Sequence, residues 1–273
     1  MRVRTLALAN QKGGVGKSAI ACQLAHYFAE SGLRVLVIDL DHQGNTTRAL
    51  GTGGFATVSA MPASRALTAP VRGLEDEWFL VLPADGDELR GLERRSGEHR
   101  TFVANLSRFL EAMGDSFDVA LVDTNPNPDI RQLAALATAS HVLCPIEPTR
   151  ESLDGIGPLL NDESVGIRRI QVTIRPDLVL LGVLPNKVDG TSPFQRGNLV
   201  ELAVRHAGLL IPMDGGGHAA IRRSTAITEA QAAGVPLWRL GRGGSGRQVK
   251  TSARVAWARV RPVFERIAAL MAL

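Results

Sequence analysis

Residues 10–20 read NQKGGVGKSAI, and the reading of this stretch decides the fold. An apolar run, TLALAN at 5–10, leads into it. Three glycines (Gly13, Gly14, Gly16) crowd its middle, and KSAIACQLAHYFAE at 17–30 leaves it with helical spacing. A buried strand, a glycine turn and a helix in that order aim free backbone N–H groups and the positive end of a helix dipole at one point. That is a cradle for an anion. A merely tight turn needs neither three glycines nor the lysine that follows them.

Outward from this stretch, further apolar runs at 34–39, 79–84, 118–123, 141–146 and 178–186 read as buried strands. Amphipathic stretches at 17–31, 100–113, 130–139 and 196–207 read as helices. Continuous apolar strands alternating with helices predict an α/β fold: a three-layer, mostly parallel twisted sheet with helices on both faces, in a single domain over 1–273. No internal repeat is present. The segment 51–77 mixes Gly, Pro, Ala and Thr and reads as loops with a short helix. LGRGGSG at 240–246 reads as a flexible loop. Beyond it, 248–270 is helical by spacing, with Trp257, Val260, Phe264, Ile267 and Met271 on one side. Pro262 is expected to kink or split that helix.

Composition narrows the setting. No run reaches the roughly 18 apolar residues of a membrane span. The basic start and short apolar stretch of MRVRTLALANQKGG are closed by Asn10, Gln11 and Lys12, too early for a signal peptide. Two cysteines, Cys22 and Cys144, lie in separate segments, form no metal-ligand pattern, and fit a reducing cytoplasm. Net charge is +4, unevenly spread. From residue 196 onward there are twelve Arg and Lys against four acids, a balance of +8, which leaves −4 for the first 195 residues. The asymmetry predicts a polyanion-binding surface in the C-terminal part, 196–273; the competing reading is a solvated surface in an arginine-biased chain. Of 31 basic residues only Lys12, Lys17, Lys187 and Lys250 are lysines, and two of them share one short loop. A compact ammonium fits a crowded phosphate cradle where a planar guanidinium does not.

In the phosphate-loop pattern G-x-x-x-x-G-K-[ST], Lys17 reaches the β- and γ-phosphates and the Ser18 hydroxyl goes to Mg²⁺. Gln11 stands where that pattern has its first glycine, and Lys12 is an additional cation. KGGVGKS with Lys12 resembles the deviant Walker A motif of the ParA/MinD family of ATPases. The resemblance implies an ATP site formed by Gly13, Gly14, Val15, Gly16, Lys17, Ser18 and Ala19. It also implies that Lys12 crosses a dimer interface to the partner's ATP, acting somewhat like an arginine finger.

Companion segments extend the resemblance over about residues 3–265. DLDHQGN at 39–45 is similar to the family's D-x-D-x-Q-G-N. Asp41 matches the residue that orients the attacking water, and Asp39 helps organise Mg²⁺. His42 stands where the family usually has Pro and reads as a loop substitution rather than a catalyst. FDVALVDTNPNPD at 117–129 resembles a Walker B segment, with Asp123 holding Mg²⁺ through water. Asn125 and Asn127 depart from the family's D-T-P-P. In GVLPNKVD at 182–189, Asn186 matches the position where relatives contact adenine. NKVD is also the GTPase pattern whose aspartate selects guanine, and the company of the ATPase motifs favours adenine. AIRRSTAITEAQAAGVPLW at 220–238 is similar to the family's late E-A…G-x-P segment.

Within this family the resemblance implies a DNA-partition ATPase. ATP and Mg²⁺ close a homodimer, Arg196, Arg222 and Arg223 grip phosphates of nonspecific double-stranded DNA, and a ParB-type centromere-binding partner stimulates slow hydrolysis. The protein is then cytoplasmic and nucleoid-associated, without stable membrane association. The loop starts at residue 11, so the expected type is the short one that lacks an operator-binding helix-turn-helix. The alternatives are a MinD-like membrane-platform ATPase and a non-hydrolysing adaptor. The stripe of the last helix reads as core packing, covering a sheet edge, rather than as a membrane anchor.

Overall fold

The computed structural model describes residues 3–71, 73–241 and 248–273. The expected glycine-rich loop at 240–246 lies largely outside them. Seven strands form one sheet: β1 (Arg4–Leu8), β2 (Val35–Asp39), β3 (Thr57–Val58), β4 (Phe79–Leu82), β5 (Val119–Asp123), β6 (His141–Ile146) and β7 (Val179–Pro185). The order is β3-β4-β2-β5-β1-β6-β7, and every pair is parallel. Twelve α-helices are described: α1 (Lys17–Glu30), α2 (Asn45–Thr52), α3 (Ala63–Thr68), α4 (Gly86–Gly91), α5 (His99–Ala112), α6 (Ile130–Thr138), α7 (Arg150–Asp154), α8 (Ile156–Asn161), α9 (Ile167–Thr173), α10 (Pro193–Arg205), α11 (Thr225–Ala233) and α12 (Thr251–Leu270).

Strand side chains alternate between two cores. Ala7, Leu36, Ile38, Ala120 and Val122 join a cluster with Leu67 of α3, Phe102 and Phe109 of α5 and Ile130 of α6. Leu6, Leu8, Val35, Val37 and Leu121 join the other with Phe28 of α1, Leu50 of α2, Ala230 of α11 and Phe264 of α12. With both faces covered, the strands must be apolar throughout, which is why they read as continuous runs. The chain turns one way from β1 towards β3 and then the other way towards β7. The strand ends around β1 and β5 therefore bound the crevice where doubly wound sheets take ligands.

Two features depart from the sequence reading. β3 has two residues, both exposed, so it carries no apolar signal. α12 runs unbroken through Pro262. Pro262 and Ala258, whose carbonyl loses its amide partner, both lie on the exposed side, so the freed group faces solvent and not the core, and the helix is not split. α12 packs along α1. Its Trp257 and Phe264 rings lie 6.1 and 5.9 Å from that of Tyr27 on α1, because its apolar stripe needs the flank of the face-covering helix.

The C-terminal ends of α2 and α11 meet backbone to backbone at a pair of glycines, Gly53 and Gly234. α11 ends at Gly234 (φ 65°) in the left-handed region. A Cβ there would lie 2.4 Å from the Ala49 carbonyl oxygen and 2.4 Å from the Gly53 amide nitrogen at the end of α2. Neither the backbone angle nor the contact admits a side chain. Gly234→Ala is expected to destabilise the protein by about 2 kcal/mol or more, read as a lower urea midpoint with an unchanged slope.

Candidate nucleotide-binding site

Between β1 and α1 the loop turns at Gly14 (φ 76°) and Gly16 (φ 94°), the latter being the N-cap of α1. A Cβ on Gly16 would meet the Asn186 amide nitrogen at 2.3 Å, so the glycine is fixed by space as well as by angle. Asn186, at the end of β7, donates its side-chain amide to the Val15 carbonyl at 2.7 Å. One asparagine thereby joins the loop to the far side of the cleft. Gly13, Gly14, Val15, Gly16, Lys17, Ser18 and Ala19 all line that cleft, together with Asp41 and Asn186, around about 1110 Å³ of space.

Lys17 is buried, and its Nζ donates to the backbone carbonyls of Asn10 (3.1 Å) and Lys12 (3.4 Å). Burial lowers its pKa, against the raising influence of Asp123 and Asp41. Lys12 behaves differently. Its ammonium leaves the loop, donates to Thr149 Oγ1 at 3.0 Å, and stands 3.5 Å from Glu151 on α7. Within one chain the two lysines therefore face different surroundings.

Asp39 and Asp123 end adjacent strands in direct register. Asp39 Oδ2 accepts from the Thr47 amide (2.8 Å) and hydroxyl (2.7 Å), and its Oδ1 accepts from the Asp41 amide at 3.2 Å. Asp123 Oδ2 accepts from Thr46 Oγ1 at 2.7 Å, whereas its Oδ1 is buried without a partner. Burial first, and then the neighbouring carboxylate, push the Asp39 pKa up. Burial likewise raises that of Asp123, opposed by the nearby Ser18 hydroxyl, by the hydrogen bond from Thr46 and by the Lys17 charge. A partnerless carboxylate oxygen beside a serine hydroxyl is a donor set that suits a hard divalent cation. Ser18 and Asp123 fit Mg²⁺ on that ground, and Asp39, whose oxygens are both hydrogen-bonded, stands beside them.

Asp41 is 7% exposed; its Oδ1 accepts from the Gln43 amide at 3.0 Å, and it lines the cleft. Arg222 and Arg223 line the same cleft and are exposed, and Arg223 pairs with Glu147 at 2.8 Å. Arg196, exposed on α10, is not among the residues lining it. The structure thus gathers the sequence-selected residues at this end of the sheet, with Arg196 in the first turn of α10 outside the cleft lining. Sequence reading missed Thr46 and Thr47. The only signal was their position directly after the D-x-D segment, in NTT. It also missed Arg48, Thr228 and Gln231, which line the cleft from α2 and α11.

The chain matches the model of an AAA domain over residues 3–180. It is 34% identical to protein IncC of Escherichia coli over 271 residues, 96% of this chain and 68% of that protein. It is 36% identical to the chromosome-partitioning ATPase Soj of Thermus thermophilus over 194 residues, 69% of this chain and 71% of Soj. Among solved structures it resembles cobyrinic acid a,c-diamide synthase from Mycobacterium smegmatis with bound ADP and magnesium. The TM-score is 0.64 at 28% identity, covering 91% of this chain and 99% of that one.

The carboxylate pair makes stability depend on pH. Both groups bind protons more tightly folded than unfolded. Their contribution is therefore full at acid pH and is lost as pH rises from the ordinary carboxylate range towards neutrality. Asp123→Asn removes one charge of the pair. Without nucleotide, the variant is expected to gain about 1–3 kcal/mol on the parent between about pH 5 and about pH 8. A difference in urea stability that stays constant across that range would contradict the assignment.

Proposed function

The chain belongs to the ParA/MinD family of ATPases, and we propose that it works as an ATP-dependent, dimerising DNA-partition switch. What carries this reading is the division between the two lysines of the loop. Lys17 is buried against its own phosphate cradle, whereas Lys12 lies at the surface on partners that a neighbouring chain could replace. In this reading Gly13 to Ala19 hold the triphosphate, with Lys17 on the β- and γ-phosphates and Asn186 beside the base. Ser18 and Asp123 hold Mg²⁺, and Asp39 orders its water shell. Held there, the cation would supply neutralisation of phosphate charge. Asp41 accepts a hydrogen bond from the attacking water and orients it. Lys12 of one protomer neutralises charge on its partner's nucleotide, so hydrolysis requires two chains.

Arg222 and Arg223 sit on the rim of the same cleft, so closing two clefts face to face brings both pairs of guanidinium groups to one surface. Together with Arg196 they would contact DNA phosphates without reading bases, and binding would weaken steeply with salt. A ParB-type partner would then stimulate hydrolysis and release the dimer. The similarity to Soj and IncC supports a partition role, and the charge of the C-terminal part supports DNA as the platform. Such a protein works in the cytoplasm on the nucleoid. Among the described residues no helix is long and apolar enough to cross a membrane.

Lys12→Ala is expected to abolish the ATP-induced doubling of mass in light scattering and to lower turnover at least tenfold, with ATP affinity within a few-fold of the parent. A variant that still dimerises and hydrolyses normally removes the trans role.

Binding to random-sequence duplex DNA should require ATP and fall with added salt. The double variant Arg222→Ala, Arg223→Ala should flatten the log–log salt slope by about 2. Pelleting with anionic liposomes, without affinity for DNA, would favour a membrane platform instead.

A further inference from the structure

His42 and Asn125, two positions where this chain departs from its family's pattern, are joined through a buried chain of polar groups. The Asn125 side-chain amide donates to Asp129 Oδ2 at 2.8 Å. Asp129 caps α6, accepting from the Arg131 amide at 2.8 Å, and takes the Arg131 guanidinium on both carboxylate oxygens. Both side chains of this pair are only 2% exposed. From there Arg131 reaches across to the loop after β2, its terminal nitrogen 3.0 Å from His42 Nδ1.

A guanidinium has only donors, so the ring nitrogen facing it must accept. His42 is then neutral, with its proton on Nε2; the Gln43 side-chain amide, whose nitrogen is placed 2.9 Å from Nε2, must turn its oxygen to that proton to accept it. A charged imidazole would present N–H to N–H⁺ and would turn to the nearest carboxylate, Asp41, whose Oδ1 is 3.7 Å from Nδ1. The charged groups around the ring are Arg131 and Asp129 on the α6 side, Arg90 on α4, and Asp41 on its own loop. Burial and then Arg131 lower the His42 pKa, outweighing the two carboxylates.

We propose that Arg131 and His42 are positioning residues for hydrolysis. The guanidinium, clamped by Asp129, holds the imidazole, and the imidazole holds the loop so that the Asp41 carboxylate stays free to orient water. The inference rests on the reading of Asp41 given above. It adds a physical tie between the loop after β2 and the segment after Asp123.

The test uses the full-length chain with Mg-ATP and compares kcat and KM for His42→Leu, His42→Asn and Asp41→Ala. His42→Leu should lower kcat roughly tenfold with KM within about twofold, since a misplaced water-orienting group costs rate and not nucleotide binding. His42→Asn should recover most of the loss, because its Oδ1 can accept from Arg131 where Nδ1 did. Should His42→Leu fail to fold, His42→Ala takes its place on the same criteria. Full kcat in the apolar variant, or an Asn variant no better than it, overturns the proposal. If Asp41→Ala abolishes turnover while His42→Leu is normal, only this proposal fails. If Asp41→Ala turns over normally, the reading of Asp41 fails and the proposal falls with it.

Discussion

Four ionisable groups are buried around one point at the carboxyl end of the sheet: Lys17, Asp39, Asp41 and Asp123. Taking such charges out of water costs several kcal/mol apiece, and a single lysine does not neutralise the carboxylates. The chain holds the excess with hydrogen bonds. Thr46 donates to Asp123, Thr47 donates twice to Asp39, and the Asp41 amide donates to Asp39. Both threonines are in the first turn of α2, so the start of that helix is set by the electrostatics of the site. Its other end is set by contact, where Gly53 meets Gly234 at the end of α11. α11 in turn begins just after Arg222 and Arg223. The buried charges and the basic rim are therefore linked by two helices whose placements depend on each other. In the proposed switch, a divalent cation and a polyphosphate bound among these charges would change the balance at one end and could bias the other only through those two helices.

The sequence was most legible where physics leaves few options. Six of the seven strands were readable because a sheet covered on both faces must be apolar along its length. The glycine loop was readable because only glycine tolerates Gly16's angle and its approach to Asn186. Asp39 and Asp123 were readable because they end apolar strands, where a carboxylate has no packing role, and Asp41 because it follows the first of them in the loop after β2. β3 escaped because an exposed strand of two residues leaves no periodic trace. The short helices α7, α8 and α9 escaped because Gly155, Pro158 and Gly166 interrupt any period in that segment. The Asp129–Arg131 pair escaped because its members look like ordinary helix-start residues: an Asp at an N-cap and an Arg in the first turn. Only the tertiary structure shows that Arg131 is buried. The sequence likewise could not show that Arg222 and Arg223 line the cleft and Arg196 does not, since that depends on where α10 packs.

The two lysines show how one loop can serve its own chain and another. Lys17 sits among groups that cannot leave: two backbone carbonyls and the charges of Asp123 and Asp41. Its place is fixed by covalent geometry and burial. The partners of Lys12 are a threonine hydroxyl and a glutamate whose side chain is 74% exposed. An ion pair this open to water is worth at most about 1 kcal/mol, so giving it up costs little. A triphosphate offers far more charge than Glu151, and in the proposed dimer water would be excluded as two clefts closed over it. The preference of Lys12 should therefore reverse on closure, from its own α7 to the facing nucleotide. An arginine in its place would hold Thr149 and Glu151 with a rigid fork and leave them less readily, which gives a physical reason for a lysine in a chain that elsewhere chooses arginine.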